Sequence, residues 1–177
     1  MSKYSPRALT VTIETIKSCN INCSYCYSDN QLSTVMDKAE LDFTLQCFQD
    51  YVSSTGFREI HFIWHGGEPL LTGFDFYKYA FEKISSSFPN CKVFHFLQTN
   101  GLLIDDNFLS LFEDHQVDLG ISLDGPQDLH DTIRVGYDGR GTHAEVMSAV
   151  EKIIQRKFSL GFNAVITRQC IGEEQRI

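Results

Sequence analysis

Three cysteines fall within one short stretch, CNINCSYCYSDN, at Cys19, Cys23 and Cys26. In a chain whose thiols stay reduced, such a group binds metal or does chemistry more often than it forms disulfides. Structural zinc is closed by four ligands, and iron–sulfur clusters are usually held by four thiolates. Three thiolates leave one position unfilled. On a four-iron cluster they would leave one iron open to a small molecule; on zinc they would leave an open fourth site. Cys47, Cys91 and Cys170 stand singly and are expected to be small buried hydrophobes.

Three other short motifs carry groups that could serve a ligand. In WHGGEPLL, residues 64–71, Gly66 and Gly67 allow close backbone approach, and Glu68 adds a negative charge. In QTNG, residues 98–101, Gln98 and Asn100 offer amides, although Asn-Gly is also a common turn. In SLDGP, residues 122–126, Ser122 offers a hydroxyl and Asp124 an acceptor or a loop tie; HDTIR follows, and its Arg134 carries a fork suited to a carboxylate. His130 and Asp131 read equally well as loop contacts.

The elements that must position these groups alternate. Strands are predicted over 9–16, 59–64, 93–98, 117–123 and 159–166 from β-branched and alternating residues. Helices are predicted over 38–54, 74–88 and 105–115. A further helix behind Thr142 carries Val146, Ala149, Val150, Ile153 and Ile154. Asp37 with Glu40, and Thr142 with Glu145, resemble capping boxes. Strand–helix alternation means parallel βαβ units. About five units are too few for a closed eight-stranded barrel, so the expected fold is α/β, a partial, open TIM-like barrel. All four motifs follow strand C-terminal ends, the edge where such sheets bind ligands.

The 177 residues suit one domain, and the net charge of −8 comes without the clustered Lys and Arg of a nucleic-acid surface. No apolar run is long enough for a membrane span, and the first residues lack the apolar core of a leader, so a cytoplasmic protein is expected.

The order C-x3-C-x2-C, GGEP, QTNG and SLDGP-x3-HD-x2-R resembles the radical S-adenosylmethionine (SAM) superfamily. The likeness is to the branch of anaerobic sulfatase-maturating enzymes and SPASM-type peptide maturases, and it covers residues 9–166. It implies a [4Fe-4S] cluster on Cys19, Cys23 and Cys26, with SAM at the open iron. Tyr25 would touch the adenine, and Gly66, Gly67 and Glu68 would hold the methionine ammonium. Ser122 and Arg134 would contact ribose and carboxylate, with Gln98, Asn100 and Asp124 beside them and Asn163 to Val165 along the adenine. The implied reaction is reductive cleavage of SAM to a 5′-deoxyadenosyl radical that oxidises or crosslinks a peptide or protein residue. An external flavodoxin- or ferredoxin-like donor would supply the electron. Relatives of this type run to about twice this length and end in cysteine-rich SPASM or twitch extensions. Residues 1–177 are therefore expected to be the core alone, with a partner chain or dimer over the open barrel edge. The alternatives are a non-catalytic or split-enzyme fragment, a zinc-binding α/β domain, and a radical SAM enzyme acting on a small molecule or nucleoside.

Overall fold

The computed structural model describes residues 8–28, 34–173 and 176; residues 1–7, on which the leader reading partly rests, lie outside them. Five strands, β1 (Ala8–Ile16), β2 (Glu59–Gly66), β3 (Lys92–Thr99), β4 (Val117–Ser122) and β5 (Leu160–Asn163), form one sheet in the order β1-β2-β3-β4-β5. Every pairing is parallel, with Val11 beside Phe62, Phe62 beside His95, and Ser122 beside Asn163. The helices are α1 (Lys38–Thr55), α2 (Phe74–Ser87), α3 (Asp106–Asp114), α4 (Gln127–Ile133) and α5 (His143–Gln155). The sheet is an open partial barrel, as expected.

Period-two alternation sends Ile60, Phe62, Trp64, Leu97, Leu119 and Ile121 to one face, where they are buried in one core with Leu41, Tyr77, Phe81, Phe112 and Val150 of the helices. Trp64 is fully buried, edge-on to Tyr77 and Phe81, and its Nε1–H donates to His95 Nδ1 at 3.2 Å. The opposite face carries Thr12, Ile63, Phe96 and Gln98 and stays partly open to solvent.

Asp37 and Glu40 make the full capping box at α1: the Asp37 carboxylate accepts from Glu40 N–H at 2.8 Å, and the Glu40 carboxylate accepts from Asp37 N–H at 2.9 Å. Thr142 departs from expectation. Its hydroxyl makes no cap because it donates to Arg134 O, and Asp131 Oδ1 accepts the His143 N–H instead. Three other readings change. Helix α4 went unpredicted because seven residues are too few to show a period. Strand β5 stops at Asn163, beyond which Val165 N–H turns to Asp124 rather than to a strand. Cys47 is exposed on α1, not a buried hydrophobe, whereas Cys170 is buried.

Candidate functional site

The thiol loop leaves β1 and is held from two sides. On one side, Gly67 N–H donates to Ile16 O at 2.8 Å and Glu68 N–H to Ser18 O at 2.9 Å. A side chain at Gly67 would run into the Lys17 and Ser18 carbonyls, and one at Gly66 into the Ile16 carbonyl. The Gly-Gly pair thus admits the chain leading into the cysteines. On the other side, Asn22 N–H donates to Val135 O at 2.7 Å and Ser24 N–H to Ile133 O at 3.0 Å. Within the loop, Cys26 N–H donates to Cys23 O at 3.0 Å, and Tyr137 reaches over to donate to Cys19 O.

Burial raises the Cys19 thiol, and it raises Cys23 to about 11 despite the opposing charge of Arg134. Both would be protonated at neutral pH, so a metal binding there must displace protons. The charges of Cys19 and Cys26 push the Cys23 thiol in the same direction as burial. No three His, Cys, Asp or Glu side chains among the described residues are drawn together closely enough for a single ion.

Glu68 is fully buried. Its carboxylate accepts from Leu70 N–H at 3.1 Å, Thr99 Oγ1 at 2.7 Å and Asn100 N–H at 2.8 Å. Burial raises its pKa, and these donors oppose the rise. The carboxylate ties the end of β2 to the end of β3 and aims Asn100, whose Nδ2 donates to Asn20 Oδ1 at 2.7 Å and lies 3.7 Å from Cys19 Sγ.

Asp124, also buried, joins four segments. It accepts from Arg134 Nε at 2.8 Å, Tyr25 OH at 2.7 Å and Val165 N–H at 2.9 Å. Of the two roles read for it, holding the loop is the one its contacts display. Burial alone would lower the Arg134 pKa, but Asp124, Tyr25 and Cys23 outweigh it and raise it. The guanidinium lies over the Tyr25 ring at 5.4 Å, and its Nη1 is 3.8 Å from Cys23 Sγ. Gln98 Nε2 donates to Ser122 Oγ at 3.0 Å, and Asn163 Nδ2 donates to Gln98 Oε1, a polar row across β3, β4 and β5.

Of the residues read as cluster or SAM contacts, twelve lie at the C-terminal ends of β1 to β4 or in the segments that follow, Arg134 just past α4, and Asn163 to Val165 lie at the end of β5 and beyond it. Asn20, Thr99 and Tyr137 were not anticipated; each is an ordinary polar residue whose partner is distant in sequence. A cavity of about 540 Å³ lies elsewhere, between the β1 edge and the start of α1. None of the three thiols lines it.

Known proteins point the same way. The family model "Radical SAM superfamily" matches residues 13–169. A serine-type anaerobic sulfatase-maturating enzyme of Klebsiella aerogenes is 35% identical over 84% of this chain and 37% of its own length. A cysteine-type enzyme of Clostridium perfringens (strain 13) is 30% identical over 82% of this chain and 40% of its own. A solved structure described as native anSMEcpe with bound AdoMet and Kp18Cys peptide superposes with a TM-score of 0.87 at 26% identity, covering 96% of this chain and 47% of that one. The chain thus spans less than half the length of these relatives. Matched over nearly all of its described sheet, with the thiol loop inside the match, the chain belongs to the radical SAM superfamily.

Proposed function

We propose that the chain binds a [4Fe-4S] cluster through Cys19, Cys23 and Cys26, with SAM at the iron the protein leaves open, and acts as a maturase-type oxidoreductase on a peptide or protein residue. The observation that carries this reading is the thiol loop, whose three cysteines lie on a segment fastened between Gly67–Glu68 and Ile133–Val135. When bound, the reduced cluster and SAM supply a 5′-deoxyadenosyl radical able to take hydrogen from an unactivated carbon.

The chain's own residues bind, orient and shield. Asn100 is aimed at Cys19 by the Glu68 carboxylate, which sets a hydrogen-bond donor beside one cluster ligand. Buried Glu68 and the backbone of Gly66 and Gly67 provide the negative side that suits the methionine ammonium. Arg134, held by Asp124 and stacked near Tyr25, offers its remaining N–H groups to the methionine carboxylate, and Tyr25 a ring to the adenine. Ser122, Gln98 and Asn163 form the hydrogen-bonding wall that suits ribose and substrate. A flavodoxin- or ferredoxin-like partner would supply the electron, and Cys26, the exposed member of the three, faces solvent where such a donor could approach.

A second reading, a non-catalytic or split-enzyme fragment, draws on the exposed apolar residues at and beyond β5. Phe162 is 52% exposed and Ile166 65%, where a partner chain or second copy would find an edge to cover.

Anaerobic reconstitution with iron and sulfide, then dithionite and SAM, tests both. Brown protein that makes 5′-deoxyadenosine, beside an inactive Cys23→Ala, is the expected result. Brown protein that makes none favours the fragment. Colourless protein that retains zinc refutes the cluster.

A further inference from the structure

The HD pair of the SLDGP-x3-HD-x2-R motif is left over by the site as described, yet both side chains are engaged. His130 is fully buried. Its Nδ1 accepts the Asp124 N–H at 3.3 Å, so its proton sits on Nε2, which donates to Thr142 Oγ1 at 3.0 Å. The Thr142 hydroxyl hydrogen then goes to Arg134 O at 2.9 Å. Each hydrogen in this chain has one donor and one acceptor, running from the Asp124 backbone to the Arg134 backbone.

The segment 133–136 shows what that chain holds. The carbonyls of Ile133 and Val135 accept from Ser24 and Asn22 of the thiol loop, and Ile21 bridges Gly136. The Arg134 carbonyl, between them, points the other way, to Thr142. One short ribbon therefore carries the thiol loop on one edge and the His130–Thr142 chain on the other. Helix α5 does not need Thr142 for its cap, since Asp131 Oδ1 accepts the His143 N–H at 2.9 Å.

We propose that His130 and Thr142 are positioning residues, a latch that sets the thiol loop and Arg134 in place before any metal binds. They touch neither cluster nor SAM; they act through the 133–136 ribbon. The purpose of the latch rests on the cluster reading, but its mechanics do not. With the loop preset, three thiols meet incoming iron in one arrangement rather than many, which lowers the ordering cost of assembly.

Amide hydrogen exchange on the metal-free chain tests this. In Thr142→Val, which keeps the shape and the Asp131 cap, the amides of Asn22 and Ser24 are expected to exchange about tenfold faster. Those of Leu97 and Leu119, in the sheet, should stay within about twofold of wild type. His130→Asn keeps an acceptor on the Asp124 side alone and should give a smaller effect in the same direction. After reconstitution, a chelator should strip iron from Thr142→Val about five- to tenfold faster than from wild type. Unchanged Asn22 and Ser24 exchange, or equal acceleration of every amide, overturns the latch. A wild-type chain that takes up no iron overturns instead the cluster reading, and with it the purpose of the latch.

Discussion

Asp124→Asn is the sharpest test of how the site is held. The carboxylate receives Arg134, Tyr25 and the Val165 amide, and the Asp124 and Arg134 side chains are 1% and 9% exposed. Asparagine keeps the shape and still accepts from Val165. It presents an N–H₂ to Arg134 Nε–H and leaves the guanidinium without a counter-charge. Removing one partner of a buried pair costs about 3–5 kcal/mol, far more than losing a surface pair. For a chain of this size each kcal/mol is worth about 2–4 °C, so the melting midpoint should fall by roughly 6–20 °C. The metal-free protein is the proper sample, and the single tryptophan, buried Trp64, reports unfolding by fluorescence in urea. Adding Arg134→Met removes the stranded charge, so the double variant should be more stable than Asp124→Asn alone, with a coupling of about 2–3 kcal/mol. An Asp124→Asn variant within about 1 kcal/mol of wild type, or costs that simply add, would show that the pair does not hold these loops together.

Gly67→Ala forces a methyl group into the Lys17 and Ser18 carbonyls, so it should lower stability by about 2–4 kcal/mol and reduce iron uptake; soluble protein with full iron content would contradict the packing. Burial holds His95 neutral, down to about 3 with added repulsion from His115, and burial holds His130 neutral down to about 4. The unfolded chain takes up these protons near pH 6.5, so the stabilisation is complete above that pH and is lost as pH falls from about 6.5 towards 3. Each ring adds up to about 1.4 kcal/mol per pH unit within its window, and His95→Gln, which keeps an acceptor for Trp64, should flatten the urea-midpoint profile against pH. Glu68→Gln puts an N–H₂ among three donors; it should weaken SAM binding at least fivefold through a misdirected Asn100, as measured by anaerobic equilibrium dialysis.

Strands β1 to β4 and helices α1, α2, α3 and α5 were legible because each carries its own period. Trp64 and Phe62 alternate with His61 and Ile63, and Val146, Val150 and Ile153 recur at helical spacing. The thiols were legible through spacing alone. What escaped was partnership across the chain. Thr142 and Glu145 read as a cap because only local neighbours are visible in sequence, whereas the hydroxyl bonds to Arg134 and the cap comes from Asp131. Likewise the glycines of GGEP show in sequence only that something approaches closely, and the chain leaving β1 becomes visible there once β1 and β2 are set side by side. Their missing side chains make room for the carbonyls of Ile16, Lys17 and Ser18.

The ribbon at 133–136 also sets a clock on synthesis. The strands pair in sequence order, so β1 to β3 can assemble as the chain leaves the ribosome. The amides of Asn22 and Ser24 must wait for carbonyls encoded about 110 residues later, roughly 5–20 s at ordinary translation rates. Throughout that interval Cys19, Cys23 and Cys26 ride on an unfastened nascent loop, open to oxidants and to stray metal. A cell making this protein gains by keeping its thiols reduced during those seconds, and a pause before the codon for Ile133 would lengthen the exposure.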